Sequence, residues 1–294
     1  MYRIGIDLGG TKTEGIILDE QHKEIYRKRI NTEQEGGYVH IISQLAGLYK
    51  ELAKHISNAP HTFGIGTPGS LSLSTGLLKG SNTVCLNNMP FHHDLQMAIG
   101  RDVAIQNDAN CFAMAEALMG AGVGKKMVFG VIMGTGCGGG IIYKNEVITG
   151  HQSIAGEWGH TSIDPNGPLC FCGKRGCVET FISGSGLQGR WFEATGEKKP
   201  ANDIIDLYRK GDKRATAAME VFFDKFGIAL SNVINILDPD VVVLGGGLSN
   251  VEELYTIGVE HVRKYVFNDT FDTSIVKNQC GDSAGVWGAA LIGI

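Results

Sequence analysis

Apolar and polar positions along the chain predict short strands alternating with amphipathic helices. Strands are expected at 2–7, 14–18 and 22–30, with the glycine-containing segment LGGTKT between the first two. Further strands are expected at 61–66 and 103–106, in the segment from 127, and in DPDVVVLGGGLSN. One helix is predicted from apolar residues at three- and four-residue steps, namely Val39, Ile42, Leu45, Leu48, Leu52 and Ile56. A second, longer helix is predicted from Met219, Phe222, Phe226, Ala229, Val233 and Leu237.

The segment MVFGVIMGTGCGGGIIYKNEVI repeats the opening arrangement of strand, glycine turn and strand. We therefore expect an α/β protein that contains two copies of one unit of three strands and a helix. An N-terminal α/β domain is predicted over 1–118, joined by a small-residue helix at 283–294. A C-terminal α/β domain is predicted over 119–282, including a zinc-binding segment at 156–183.

Composition excludes several classes of protein. The 294 residues are 43% hydrophobic and 19% charged, which is typical of a globular chain and not of a disordered one. The formal net charge of −5 argues against a nucleic-acid binder held by a positive field. Neither a signal peptide nor a membrane-spanning apolar run is recognisable, so we expect a cytoplasmic protein. The 42 glycines, without a collagen period, indicate many tight turns.

Two glycine-rich turns are candidate phosphate sites. In the first, glycine lets backbone N–H groups approach an anion, Asp7 could hold hydrated Mg²⁺, and Thr11 and Lys12 could contact phosphate. The second turn, GTGCGGG, and a third glycine run after VVVL together favour a nucleotide cleft. The alternative is that these are plain β-turns in a glycine-rich protein. The candidate residues are Asp7, Gly9, Gly10, Thr11, Lys12, Gly134, Thr135, Gly136, Cys137, Gly138, Gly139, Gly140, Gly245 and Gly246.

Three of the seven cysteines lie within eight residues of one another and follow a histidine. Together, His160, Cys170, Cys172 and Cys177 are a complete tetrahedral ligand set for zinc, with no position left for water. We therefore predict a structural Zn²⁺ that orders this segment and fixes Glu157 and Glu179 beside it. The alternative is a chance cluster of free thiols. The four remaining cysteines are expected to be small apolar residues of the core.

The polar cluster NDAN lies where a predicted strand meets a predicted helix. Helix capping explains one such residue well and three poorly. If the cleft holds ATP, Asp108 is the best-placed carboxylate to accept a proton from an attacking hydroxyl. Asn107 could hold a neighbouring sugar hydroxyl.

The motifs DLGGTKT, NDAN, GTGCGGG, GEWGH with CFCGKRGCVE, and DPDVVVLGGGLSN together resemble the ROK family of sugar kinases over nearly the whole chain. The finer match is to fructokinase- or mannokinase-like members. This resemblance implies an actin-like, ribonuclease-H-like α/β fold of two domains with a cleft between them. It also implies ATP with Mg²⁺, a hexose substrate and a homodimer.

The resemblance further implies individual roles. Asp108 would be the catalytic base, the phosphate turns would bind ATP, and Gly245 and Gly246 would lie on the adenosine side. The sugar contacts would be Gly69, Asn82, Asn107, Asp108, Glu157, His160 and Glu179. We thus expect phosphorylation of the 6-hydroxyl of fructose or mannose. Glucokinase and N-acetylglucosamine kinase are alternatives within the family.

Two alternatives come from other functional classes. Some ROK proteins are sugar-responsive transcriptional regulators with an added helix-turn-helix domain. Because the first phosphate turn begins as early as Asp7 and the net charge is negative, we do not expect such a regulator. A sugar sensor without catalysis would have lost the base, yet Asp108 is present.

Overall fold

The computed structural model describes residues 1–293. These residues group into two compact units whose sequences interleave. Unit 1 contains Met1–Val123, Gly140–Ala155 and the residues from Gln279 onward, and unit 2 contains Gly124–Gly139 and Gly156–Asn278. The domain bounds predicted from the sequence, 1–118 with 283–294 and 119–282, are not tested by this grouping and stay a prediction.

The first sheet is built from the N-terminal part of the chain. Its strands are β1 (Tyr2–Leu8), β2 (Lys12–Leu18), β3 (Glu24–Asn31), β4 (His61–Thr67) and, after the small hairpin β5 (Ser70–Leu71) and β6 (Leu78–Lys79), β7 (Ala104–Asn107). The sheet order is β3-β2-β1-β4-β7. The strands β1, β2 and β3 pair antiparallel, as the predicted meander requires, whereas β4 pairs parallel with both β1 and β7. Parallel strands therefore end at the same edge, next to the NDAN cluster.

Three helices accompany this sheet: α1 (Gly37–His55), α2 (Phe91–Ile99) and α3 (Asp108–Met119). The predicted apolar stripe of α1 is confirmed for Leu45, Leu48 and Leu52, which join the core with Ile4 of β1. Val39 was wrongly included, because its side chain is 78% exposed. Six residues separate Val39 from Leu45, about one and two-thirds helical turns, so the two side chains lie on different faces.

The second sheet contains β8 (Met127–Met133), β9 (Cys137–Tyr143), β10 (Glu146–Val147), β11 (Val241–Gly245) and β12 (Ser274–Lys277). Its order, β10-β9-β8-β11-β12, corresponds strand for strand to that of the first sheet. The pairs β8–β11 and β11–β12 are parallel, and β9–β10 is antiparallel. The two sheets therefore agree with the predicted internal repeat.

The remaining helices are α4 (Glu179–Ile182), α5 (Gly184–Thr195), α6 (Ala201–Arg209), α7 (Lys213–Leu237), α8 (Ile257–Tyr265) and α9 (Ala284–Leu291). In α7, Met219, Phe222 and Phe226 are buried as predicted. Near the end of α7, Ile234 rather than the predicted Val233 faces the core. Ile234 is buried, and Val233 is only half-buried. No helix among the described residues combines the length and the apolar character that crossing a membrane requires.

Helix α9 packs on β1, β4 and α3 of unit 1. Glycines in the sheet permit this close approach: a Cβ at Gly64 would lie 2.1 Å from the Ala289 carbonyl oxygen, and one at Gly5 would lie 2.3 Å from the Ala290 nitrogen. The end of the chain thus completes the covering of the first sheet.

Candidate active site

The first glycine turn, between β1 and β2, is closed by its own backbone. The N–H of Gly9 donates to the carbonyl oxygen of Lys12 at 3.0 Å, and a Cβ at Gly9 would lie 2.7 Å from that oxygen. Thr32 supports the turn because its hydroxyl donates to the Gly9 carbonyl at 2.8 Å. Thr11 and Lys12 are exposed. The turn therefore presents a hydroxyl and an ammonium group to solvent on a rigid base.

Two carboxyl groups lie near this turn. Asp7 is in the last part of β1, and its pKa is raised to about 7, first by burial and then by the negative charges of Asp108 and Glu14. Asp108 as a residue is exposed to solvent. Many protein atoms nevertheless lie around its carboxyl group, and the resulting desolvation raises the pKa of Asp108 as well. Such a pair of acidic groups suits a bound cation, which would favour the charged form of both.

Asp108 is the first residue of α3, and its Oδ1 accepts the N–H of Ala109 at 2.8 Å. Asn107 caps the same helix, since its Oδ1 accepts the N–H of Asn110 at 2.8 Å. The capping interpretation of Asn107 is therefore confirmed, and its side-chain oxygen is used inside the protein. The same cap holds Asp108 at the helix N-terminus, where the helix dipole stabilises a negative charge.

Gly69 and Asn82 lie in the loops that follow β4 and β6. Gly69 has a φ of +85°, and a Cβ there would lie 2.4 Å from the Lys79 carbonyl oxygen, so the turn requires glycine. Asn82 is exposed. Its loop is braced by Asn87, whose amide exchanges two hydrogen bonds of 2.8 Å with the backbone of Ser81.

In unit 2, the second glycine turn forms hydrogen bonds with α4 and with the first residues of α5. The Oε2 atom of Glu179 accepts the N–H of Cys137 at 2.9 Å, and a Cβ at Gly136 would lie 2.6 Å from the same oxygen. The carbonyls of Gly134 and Thr135 accept hydrogen bonds from the N–H of Gly184 and the hydroxyl of Ser185. One carboxylate oxygen of a predicted sugar contact is therefore engaged in holding a predicted phosphate turn.

The rest of this glycine run serves packing as well. The indole of Trp158 donates to the Gly138 carbonyl at 3.0 Å, and a Cβ at Gly139 would lie 2.8 Å from that ring. In unit 1, a Cβ at Gly140 would lie 2.6 Å from the Ala109 carbonyl oxygen. A side chain at Gly139 or Gly140 would therefore collide with neighbouring protein atoms.

After β11 the chain again requires glycine. Gly245 ends the strand, and Gly246 has a φ of +77°. A Cβ at Gly246 would lie 2.5 Å from the Met133 carbonyl oxygen. Gly246 itself is exposed, so it lies on an open surface beside the end of β8.

The four predicted zinc ligands converge. Their donor atoms all lie within 4.8 Å of one another, with Cys172 Sγ to Cys177 Sγ and Cys170 Sγ to His160 Nδ1 both at 3.6 Å. A tetrahedron of thiolates about 2.3 Å from zinc has edges of about 3.8 Å, so the donor set fits this metal. All three thiols are free of disulfides.

The backbone around this cluster is tightly wound. The N–H of Cys170 donates to the Lys174 carbonyl at 2.8 Å, and that of Gly173 donates to the Cys170 carbonyl at 2.9 Å. His160 ends a short 3₁₀ turn, Trp158–His160, and Glu157 is the exposed residue that caps this turn. Nδ1 of His160 faces the Cys170 thiol, which leaves Nε2 outside the predicted ligand set.

A buried charged residue of α3 was not among the predicted residues. Glu116 of α3 is completely buried, and its carboxylate accepts the N–H groups of Ala121, Gln279 and Cys280 at 2.8 to 3.1 Å. A glutamate inside the apolar run CFAMAEALMG was the available signal. Its partners from 163 residues away could not be read from the sequence.

Comparison with known proteins defines the class. The ROK family model matches residues 3–293, and the chain belongs to the ROK family. It is similar to the N-acetyl-D-glucosamine kinases of Vibrio atlanticus strain LGP32, at 36% identity over 99% of both chains, and of Pasteurella multocida strain Pm70, at 35% identity over 99% of this chain and 98% of the relative.

Solved structures agree on the fold. The ROK hexokinase of Thermus thermophilus is 29% identical, covers 100% of this chain and 98% of its own, and has a TM-score of 0.91. The ROK glucokinase of Streptomyces griseus in complex with glucose and AMPPNP is 26% identical over 99% and 98%, with a TM-score of 0.77. The predicted actin-like, ribonuclease-H-like α/β fold and ROK membership are confirmed. These comparisons support a sugar kinase.

Proposed function

We propose that this protein transfers the γ-phosphoryl group of ATP to the 6-hydroxyl of N-acetyl-D-glucosamine. The observation that carries the proposed reaction is Asp108, a solvent-open carboxylate at the N-terminus of α3 beside a turn built for an anion. The choice of sugar is supported by two relatives that are N-acetyl-D-glucosamine kinases, which the chain matches over 99% and 98% of their length. Fructose or mannose, our first expectation, is less well supported than this alternative.

Asp108 acts as the general base. Phosphoryl transfer needs positioned groups, neutralised charge and one acceptor for the hydroxyl proton. A carboxylate is a better base when its pKa is raised towards the working pH, and desolvation raises the pKa of Asp108. Its Oδ1 is held by the Ala109 N–H, which fixes the direction of the side chain.

The nucleotide is bound by the glycine turns. The turn at Gly9 and Gly10 receives phosphate oxygens, with Lys12 and Thr11 adding a charge and a hydroxyl. Asp7 would hold hydrated Mg²⁺, which neutralises phosphate charge when bound. Thr135 of the second turn and Gly246 are both exposed. The family resemblance assigns Gly246 to the adenosine side.

In unit 1, the proposed sugar contacts are Asn107, Gly69 and Asn82. In unit 2, the residues that the family resemblance assigns to the sugar are Glu157, His160 and Glu179. A structural Zn²⁺ on the Nδ1 edge of His160 would orient the ring, so that the opposite nitrogen meets a sugar hydroxyl. The resemblance also supports a homodimer and a cytoplasmic location. Light scattering of the purified protein would test the homodimer.

A coupled assay of ADP release, run with the four candidate sugars, tests the proposal. We expect kcat/KM for N-acetylglucosamine to exceed that for glucose, mannose and fructose by at least about tenfold, because a site that binds a polar substituent discriminates against sugars lacking it. A higher kcat/KM for fructose would contradict the choice of sugar. Absence of ADP release with every hexose would contradict the proposed reaction.

A further inference from the structure

A cavity of about 180 Å³ lies within unit 1, next to the predicted sugar contacts. Gly69 and Asn107 are both part of its lining. It also reaches residues that the reaction described above does not use, at the end of β4, on β7 and on the first turn of α3. The cavity therefore extends from two predicted sugar contacts to residues without an assigned role.

Two of the residues that line the cavity each have a buried polar atom without a hydrogen-bond partner in the described part of the chain. Thr67 is 1% exposed and Asn110 is 5% exposed. Among the described residues, no hydrogen bond reaches Thr67 Oγ1 or Asn110 Oδ1. The other end of the Asn110 amide is already used, since Nδ2 donates to Gln106 Oε1 at 2.9 Å. Buried polar groups in proteins are nearly always hydrogen-bonded, so these two atoms indicate a missing partner.

The rest of the lining is partly apolar. Leu71, Leu73 and Ile105 are also among the residues that line the cavity. A single water needs only about 10–15 Å³ of such space and gains nothing from apolar walls. Both the size and the mixed character of the cavity therefore point to a small organic group with a polar and an apolar part.

We propose that this cavity receives the 2-acetamido group of the substrate, with Asn110 Oδ1 accepting its N–H and the Thr67 hydroxyl donating to its carbonyl. The methyl group would lie against Leu71, Leu73 and Ile105. This inference rests on the proposed function and assigns its sugar specificity to Thr67 and Asn110. A hexose with a hydroxyl at carbon 2 leaves the apolar part of the cavity unfilled.

The test is a ratio measured on Thr67→Val, with Thr67→Ser as the matched control. Valine has nearly the shape of threonine and removes only the hydroxyl, so the thermal midpoint should not fall. We expect kcat/KM for N-acetylglucosamine relative to glucose to drop about three- to tenfold in Thr67→Val, the usual effect of one lost hydrogen bond. Thr67→Ser, which keeps the hydroxyl, should restore the ratio to within about twofold of the wild type. An unchanged ratio in Thr67→Val would overturn the assignment and indicate a cavity that holds only water.

Two further measurements separate this inference from the proposed function. Calorimetric titration with N-acetylglucosamine and with glucose, in the absence of ATP, gives the ratio of the two dissociation constants independently of turnover. A wild type that binds but does not phosphorylate these sugars contradicts the reaction alone, whereas turnover with a ratio insensitive to Thr67 contradicts the cavity assignment alone. If Thr67→Val does not fold, wild-type kinetics with N-octanoylglucosamine decide. A sharp loss relative to the acetyl compound supports an enclosed cavity, and equal rates overturn it.

Discussion

At the scale of single residues, hydrogen bonds to backbone N–H groups hold the polar side chains Asn107, Asp108 and Glu179. The sequence predicted Asp108 and Asn107 as members of a polar cluster. In the structure, the side-chain oxygen of Asn107 caps α3 by accepting the N–H of Asn110. Glu179 was expected at the sugar, yet one of its oxygens binds the N–H of Cys137. Such hydrogen bonds join residues distant in sequence, and no local pattern encodes them.

Replacing Asp108 by Asn should retain sugar binding and lower turnover by about two to four orders of magnitude. The amide keeps the shape of the carboxylate and one oxygen that can accept the Ala109 N–H, but it cannot accept a proton at neutral pH. Steady-state ADP release gives kcat, and calorimetry gives the sugar affinity. The exposed Asp102→Asn, in the loop before β7, is the matched control and should change kcat less than about twofold. Near-normal turnover of Asp108→Asn would remove Asp108 from the role of base.

At the scale of elements, strands and helices were predicted well where periodicity is strong. The meander β1, β2 and β3 and the core face of α1 followed from alternation and three- to four-residue spacing. The convergence of His160 with the three cysteines could also be predicted, because tetrahedral metal ligation has a recognisable spacing in the sequence. Val39 was misplaced because apolar residues also occur on solvent-facing sides of helices.

Cys172→Ser should lose bound zinc and weaken sugar affinity together. Cys172 is exposed, so the substitution removes a ligand without opening the core. Elemental analysis should find one zinc per chain in the wild type and little in the variant, since a serine hydroxyl is a far weaker zinc ligand than thiolate. Cys85→Ser, outside the cluster, should keep its zinc. Full zinc occupancy in Cys172→Ser would refute the ligand set.

At the scale of the whole molecule, the repeated strand order of the two sheets was foreseeable from the two similar sequence segments. The pairing of α3 with the segment before α9 was not, because it depends on partners separated by more than 160 residues. There the carboxylate of Glu116 is the acceptor for three backbone N–H groups, two of them from Gln279 and Cys280. Its burial is compensated by these hydrogen bonds.

Glu116→Ala should lower the free energy of unfolding by about 3 kcal/mol. The substitution leaves buried N–H groups without an acceptor and opens a cavity in unit 1. Chemical denaturation followed by circular dichroism measures the change. Glu220→Ala, on the exposed side of α7, is the control and should stay within about 0.5 kcal/mol of the wild type. Equal stability of the two variants would show that the Glu116 hydrogen bonds contribute little.

The most direct test of the proposed chemistry is the identity of its product. Purified protein is incubated with ATP, Mg²⁺ and N-acetylglucosamine, and the product is examined by ³¹P and ¹³C nuclear magnetic resonance. We expect a single phosphate monoester whose phosphorus couples to carbon 6 of the sugar, formed in step with ADP. Phosphate at carbon 1, or ADP formed without any phosphorylated sugar, would contradict a 6-hydroxyl kinase with Asp108 as its base.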